Sequence, residues 1–189
     1  MDAEPPTPDA ERARRNGRIK LLVLAAFFTL PVAAGYVAYS RWTPETGSNY
    51  GELLSPVPLA DPTVAALKGK WIMLQLDSGA CDTYCERKHY LMRQVRKAQG
   101  KDQLRIERLW LVTDATAPRK ELLEAISGTR IEPASSHRLG DFAAATGVLE
   151  DYIYLVDPLG NLMLRFPRDP DPKGMIRDLQ RLLKTSQIG

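Results

Sequence analysis

Cys81 and Cys85 are the only two cysteines of this 189-residue chain, and they sit in "GACDTYCERKHY", residues 79 to 90, with three residues between them. A thiol pair so spaced admits three chemistries: a disulfide that staples a loop, a dithiol that cycles with a disulfide, or two thiolates that hold a soft metal. Closing so short a loop removes unfolded-chain entropy worth only about 2 kcal/mol in the loop-closure description, so a staple gains little. Residues four apart on a first helical turn stay within disulfide reach. Thioredoxin-type reductases favour two intervening residues, and here there are three. Two thiolates select Cu(I), and a nearby imidazole completes a site also able to hold Cu(II). The two imidazoles of the chain are His89, four residues beyond Cys85 and so on the same face of a helix, and His137 in "EPASSHRLG". Each is a candidate third ligand and each is also an ordinary surface histidine. Met73, Met92 and Met163 carry thioethers, but their spacing along strand and helix assigns them to the core.

The elements that must hold these sulfurs are readable around them. "WIMLQL" at 71 to 76 is a continuous apolar run, as in a strand covered on both faces. Beyond the cysteines, Tyr84, Lys88, Leu91, Met92, Val95 and Ala98 recur at helical spacing, which predicts a helix to about Gln99 with Gly100 ending it. The pair therefore stands where a strand gives way to a helix. Free N–H groups and the dipole's positive end there stabilise a thiolate and lower its pKa. Asp82 and Glu86 oppose that effect, while Arg87, Lys88 and His89 favour it. "RIERLWLVTD" at 105 to 114 is a second buried strand, with Trp110, like Trp71, assigned to the core. "PRKELLEAI" at 118 to 126 opens a helix on its proline. "DFAAATG" at 141 to 147 reads as a short helix, and "YIYLVDPLGNLMLRF" at 152 to 166 as a hairpin turned by Asp157, Pro158, Gly160 and Asn161. "PKGMIRDLQRLLKT" closes the chain as an amphipathic helix. A parallel crossover, then a hairpin, then a last helix is an α/β arrangement of thioredoxin-like type, placed at residues 63–189.

Hydrophobic residues make up 44% of the chain and charged ones 26%, and the formal charge is +3. Arg12, Arg14, Arg15, Arg18 and Lys20 concentrate the positive charge near the start, and the remainder is close to balance, which excludes a nucleic-acid surface. "IKLLVLAAFFTLPVAAGYVAYS" follows at 19 to 40. About 20 residues at roughly 1.5 Å each span a hydrocarbon layer of about 30 Å, and one Pro31 is tolerated. Residues 19–42 thus read as a transmembrane anchor, with Tyr36, Tyr39 and Trp42 at the outer interface. The basic flank keeps residues 1–18, a polar tail expected to be disordered, in the cytoplasm and sends the rest outward. A cleaved signal peptide, with "VAAG" at 32 to 35 as its small-residue site, is the alternative. Either way the domain works where disulfides persist. Residues 43–62, rich in Pro, Gly and Ser, read as a linker lying against the domain.

Three stretches carry a family resemblance: "GKWIMLQL" leading into Cys-x-x-x-Cys, "RLWLVTD", and "YIYLVDPLGNLMLRF" before a final helix. Over roughly residues 50 to 185 they resemble the Sco/SenC family, membrane-anchored proteins of thioredoxin-like fold in cytochrome c oxidase assembly. The resemblance implies an inner-membrane protein with a periplasmic domain, whose partner is the copper-bearing subunit of the oxidase. It implies Cys81 and Cys85 as catalytic residues and copper ligands, with Cu(I) as the metal, acting by copper delivery or by reduction of the thiols that receive it. A general thiol:disulfide reductase and a non-catalytic assembly factor with a structural disulfide are the rival readings. Family members carry Pro after each cysteine, where this chain has Asp82 and Glu86. Their third copper ligand is a histidine just before the hairpin; "GVLEDY" at 147 to 152 has none, and Leu149 stands about where it belongs.

Overall fold

The computed structural model describes residues 8–41, 49–134, 142, 147–186 and 188. The chain divides into two compact units, Met1–Gly47 and Ser48–Gly189.

The first unit is one helix, α1 (Pro8–Arg41), with Pro31 inside it. Its stretch Arg15–Tyr39 spans 25 residues at a mean hydropathy of 2.1, long and apolar enough to cross a membrane. Leu21, Leu22, Phe27, Phe28 and Tyr36 all point outward. A helix apolar on every side has no polar face to give to water, so lipid is the solvent that suits it. Residues 8–18, expected to be disordered, are helical. Alanine and arginine propagate a helix well.

The second unit is built on a six-stranded sheet in the order β1-β6-β5-β2-β3-β4. Along the chain these are β1 (Glu52–Pro58), α2 (Pro62–Ala66), β2 (Trp71–Asp77), α3 (Thr83–Lys97), β3 (Ile106–Val112), α4 (Lys120–Ala125), β4 (Arg130–Pro133), β5 (Ile153–Val156), β6 (Asn161–Phe166) and α5 (Pro172–Thr185). Short 3₁₀ helices occupy Gly100–Arg105 and Leu149–Asp151. β2, β3 and β4 run parallel, while β5, β6 and β1 are antiparallel. This is the expected α/β arrangement.

Every residue of β2 is buried, and strand alternation sorts its side chains between two cores. Trp71 and Met73 face α3 and α5, packing with Met92, Val95, Phe166, Met175 and Leu179. Ile72, Leu74 and Leu76 face the other way, onto Val64, Leu109, Leu111, Phe142 and Tyr154. By the same alternation Gln75 and Asp77 point toward α3. Met73 and Met92 are core residues as expected, and Met163 is half-buried against the same cluster.

Three elements go beyond the sequence reading. Part of the expected linker is β1, paired with β6; its Pro56 and Pro58 are tolerated because an edge strand leaves one row of N–H groups unbonded. α2 and β4 are short elements that the sequence reading did not assign. α4 starts at Lys120, with Arg119 at its cap, so Pro118 precedes the helix. The hairpin turns as expected: Asp157 Oδ1 accepts from the N–H groups of Leu159 (2.9 Å) and Asn161 (2.8 Å), and Gly160 takes a φ of 95°. The short helix expected at 141 to 147 falls largely outside the described residues.

Candidate functional site

The cysteines stand where β2 gives way to α3, joined as a disulfide with S–S 1.99 Å and Cα–Cα 5.2 Å. They do not share the first helical turn. Asp82 is the helix cap, its carboxylate accepting from the Cys85 N–H at 2.8 Å. Cys81 therefore lies outside the helix, at the left-handed φ of 43°, and Cys85 lies in the first turn. Asp82, found where a proline was expected from the resemblance, takes up one of the free N–H groups that a thiolate would have used. Glu86, at the other such position, pairs with Arg119, which also donates to the Cys81 carbonyl at 3.2 Å.

The loop ahead of Cys81 is pinned from β3's far end. Asp114 accepts from Ser78 Oγ (2.6 Å), from the Gly79 N–H (2.9 Å) and from Thr116. These donors hold its carboxyl down to about 2. Gly79 is required there, since a Cβ would stand 1.7 Å from the Thr116 carbonyl oxygen.

Beneath the disulfide lies a buried polar group. Lys88, the α3 residue read as part of the apolar stripe, is completely buried and pairs with Asp77 Oδ2 at 2.7 Å. It also donates to the Glu150 carbonyl and, at 3.5 Å, to that of Leu76. Gln75 Nε2 lies 3.0 Å from Asp77 Oδ2, 3.0 Å from His89 Nε2 and 3.5 Å from Cys85 Sγ. Trp110 packs its ring edge-to-face on His89, centroids 4.8 Å apart, and donates to the Asp77 carbonyl at 3.4 Å. Burial raises the Asp77 carboxyl to about 6 against the pull of Lys88. Burial, with Lys88 and Arg108 nearby, lowers His89 to about 3. The imidazole is therefore neutral at pH 7, the form that ligates a metal.

One ligand atom each from Cys81, Cys85 and His89 lies within 4.8 Å of the others, and all three residues are buried. Two sulfurs and one imidazole form a soft donor set, which fits copper once the disulfide is reduced. His89 thus comes into the cluster from α3. Leu149, in the turn where the Sco/SenC resemblance led one to look for a histidine, packs instead on the second core. His137 lies outside the described residues. The sulfurs are at the expected junction, yet Cys81 is 2% and Cys85 1% exposed, enclosed with Trp110, Val112, Leu122 and Ile126. Sequence reasoning, which set the pair at a helix start, did not foresee this enclosure. It also passed over Gln75 and Asp77, whose signal was polarity within an otherwise apolar strand. A cleft of about 340 Å³ between α3 and α4 reaches this cluster, lined by Glu86, His89, Tyr90, Arg93, Arg119 and Leu122 among others.

The family described as "Transmembrane-like, thioredoxin-like, C-terminal domain" matches residues 71–186. The chain belongs to that family. Among curated proteins none matches by sequence. Solved structures similar to this transmembrane-like, thioredoxin-like chain include copper-bound yeast Sco1, at a TM-score of 0.55 and 17% identity, covering 74% of this chain and 96% of that one. Apo Sco1 from Thermus thermophilus gives 0.53 and 18%, covering 74% and 99%. At these identities what is shared is the thioredoxin-like fold, which they have in common with the domain described above.

Proposed function

We propose that this protein is a Sco-like factor of cytochrome c oxidase assembly, anchored by α1 in the inner membrane with its domain in the periplasm. Cys81 and Cys85 are its working residues, and Cu(I) its cargo, destined for the copper-bearing subunit of the oxidase. The observation that carries the reading is the Cys81, Cys85 and His89 cluster within 4.8 Å; the copper-bound state of yeast Sco1, a protein of similar fold, supports it. Reduction comes first. A donor dithiol attacks the disulfide through a mixed disulfide and leaves oxidised, its two electrons and two protons yielding the Cys81 and Cys85 thiols. Cu(I) then displaces the thiol protons and takes both sulfurs, with neutral His89 as a third ligand. The basic residues in the first turns of α1, ahead of its apolar stretch, support an N-terminus held in the cytoplasm.

The same dithiol supports a second reaction, favoured by the disulfide itself. Here the reduced pair attacks a disulfide on the oxidase subunit and frees the thiols that receive copper. Copper retention separates the two. Full-length chain, reduced in detergent, is expected to hold one Cu(I) against a competing chelator, and the Cys81→Ser, Cys85→Ser double variant to hold none. Equal retention by both overturns the metal reading. Turnover of a peptide disulfide without bound copper selects the reductase.

A further inference from the structure

Gln75 stands between Leu74 and Leu76 in a wholly buried strand and is itself fully buried. A carboxamide in such a place costs free energy unless it is paired, and leucine would fill the space more cheaply. Its pairing determines its orientation. Asp77 Oδ2, held by the Lys88 ammonium, accepts from one end of the amide at 3.0 Å. That end must be the NH₂, because the carbonyl oxygen would face a carboxylate. The second amide N–H then points at His89 Nε2, also at 3.0 Å. Nε2 must accept it. A proton on Nε2 would set two N–H donors head to head, so the single proton of the neutral ring belongs on Nδ1, which has no hydrogen-bond partner among the described residues. The chain Lys88, Asp77, Gln75 and His89 passes one orientation along from a buried ammonium to an imidazole lone pair, and the same amide nitrogen lies 3.5 Å from Cys85 Sγ.

We propose that Gln75 is a positioning residue of this site: its carboxamide holds His89 as the Nδ1–H tautomer and covers the Nε2 lone pair until a metal ion takes it. The inference rests on reading Cys81, Cys85 and His89 as one ligand set. A metal-ligating histidine needs its lone pair turned toward the metal, and the neighbour that enforces this is worth 10–100-fold in affinity (order of magnitude). Gln75 does so from the metal's own side, as a stand-in for the cation, where such neighbours more often grip the far nitrogen. When the metal arrives, one Gln75 N–H is released from Nε2 and its bond to Asp77 remains.

The test needs no metal. In nitrogen NMR of the oxidised full-length chain in detergent micelles, His89 is expected to show a protonated Nδ1 and a bare Nε2 at pH 7. Gln75→Glu, an acceptor facing Nε2, is expected to move the proton to Nε2. Gln75→Leu, an apolar replacement suited to a buried strand, is expected to leave both tautomers populated even if the glutamate variant does not fold. A bare Nδ1 in the unaltered protein, or a His89 spectrum unchanged by Gln75→Leu, overturns the proposal. In the reduced chain, Gln75→Leu is expected to lose about 10-fold in Cu(I) affinity. Should the double cysteine variant retain copper, the metal reading falls while the imidazole spectra still decide the role of Gln75.

Discussion

Lys88 shows how much one residue of α3 carries. Replacing it with methionine leaves Asp77 buried without its cation and the Glu150 carbonyl without its donor. Breaking a buried pair from one side costs about 3–5 kcal/mol, so Lys88→Met should lower the urea midpoint sharply. Adding Asp77→Asn to Lys88→Met should restore part of the loss, because the stranded charge is gone. His89 gives a pH dependence of known sign. Its folded value of about 3 lies below the ordinary 6.5, so the unfolded chain binds a proton the folded one refuses, and acid favours unfolding from pH 6.5 down to about 3. Asp77, raised from 3.8 to about 6, works oppositely, losing stability as pH rises through that interval. The His89→Phe variant should therefore gain on the unaltered protein as pH falls, by a difference of order 3 kcal/mol at pH 3, read from denaturation curves at each pH. The residue scale was partly legible. Cys81, Cys85 and the helical offset of His89 stand in the sequence. The polar chain under them did not show, because Gln75 and Asp77 reveal their direction only once strand alternation turns them toward α3.

At the scale of elements, the junction holds because the loop between β2 and α3 is gripped by the loop that follows β3. Gly79→Ala would drive a methyl into the Thr116 carbonyl, so the two loops must part and the Asp114 hydrogen bonds with them. The expected result is faster reduction of the Cys81–Cys85 disulfide by a fixed concentration of dithiothreitol. The edge strand has a separate anchor: Asp178 in α5 accepts the N–H groups of Tyr50 at 3.1 Å and Gly51 at 2.8 Å. Asp178→Ala orphans both donors, at a cost of about 2 kcal/mol, and should speed hydrogen exchange at Tyr50 and Gly51 while leaving β2 protected. This tether explains why β1 was not legible. Its register comes from an aspartate more than a hundred residues away, while its local composition of Ser, Pro and Gly reads as linker. β2, β3, α3, the hairpin and α5 were legible because each carries its own periodicity. β4, only four residues long, carries too little pattern to stand out.

The whole molecule joins a helix long and apolar enough to cross a membrane to an α/β domain, and each part has its own test. Alkaline carbonate should leave the full chain in the membrane pellet, since the apolar stretch of α1 is worth far more in hydrocarbon than any peripheral contact. Release into the supernatant would mean that Arg15–Tyr39 does not span the bilayer. The enclosure of the disulfide has a larger implication. With neither sulfur open to solvent, thiol reagents and reductants wait for a fluctuation, so their measured rates carry the opening of the site as well as the nucleophilicity of the sulfur. Small oxidants and stray thiols therefore meet this pair only as often as the cover of Trp110, Val112, Leu122 and Ile126 parts.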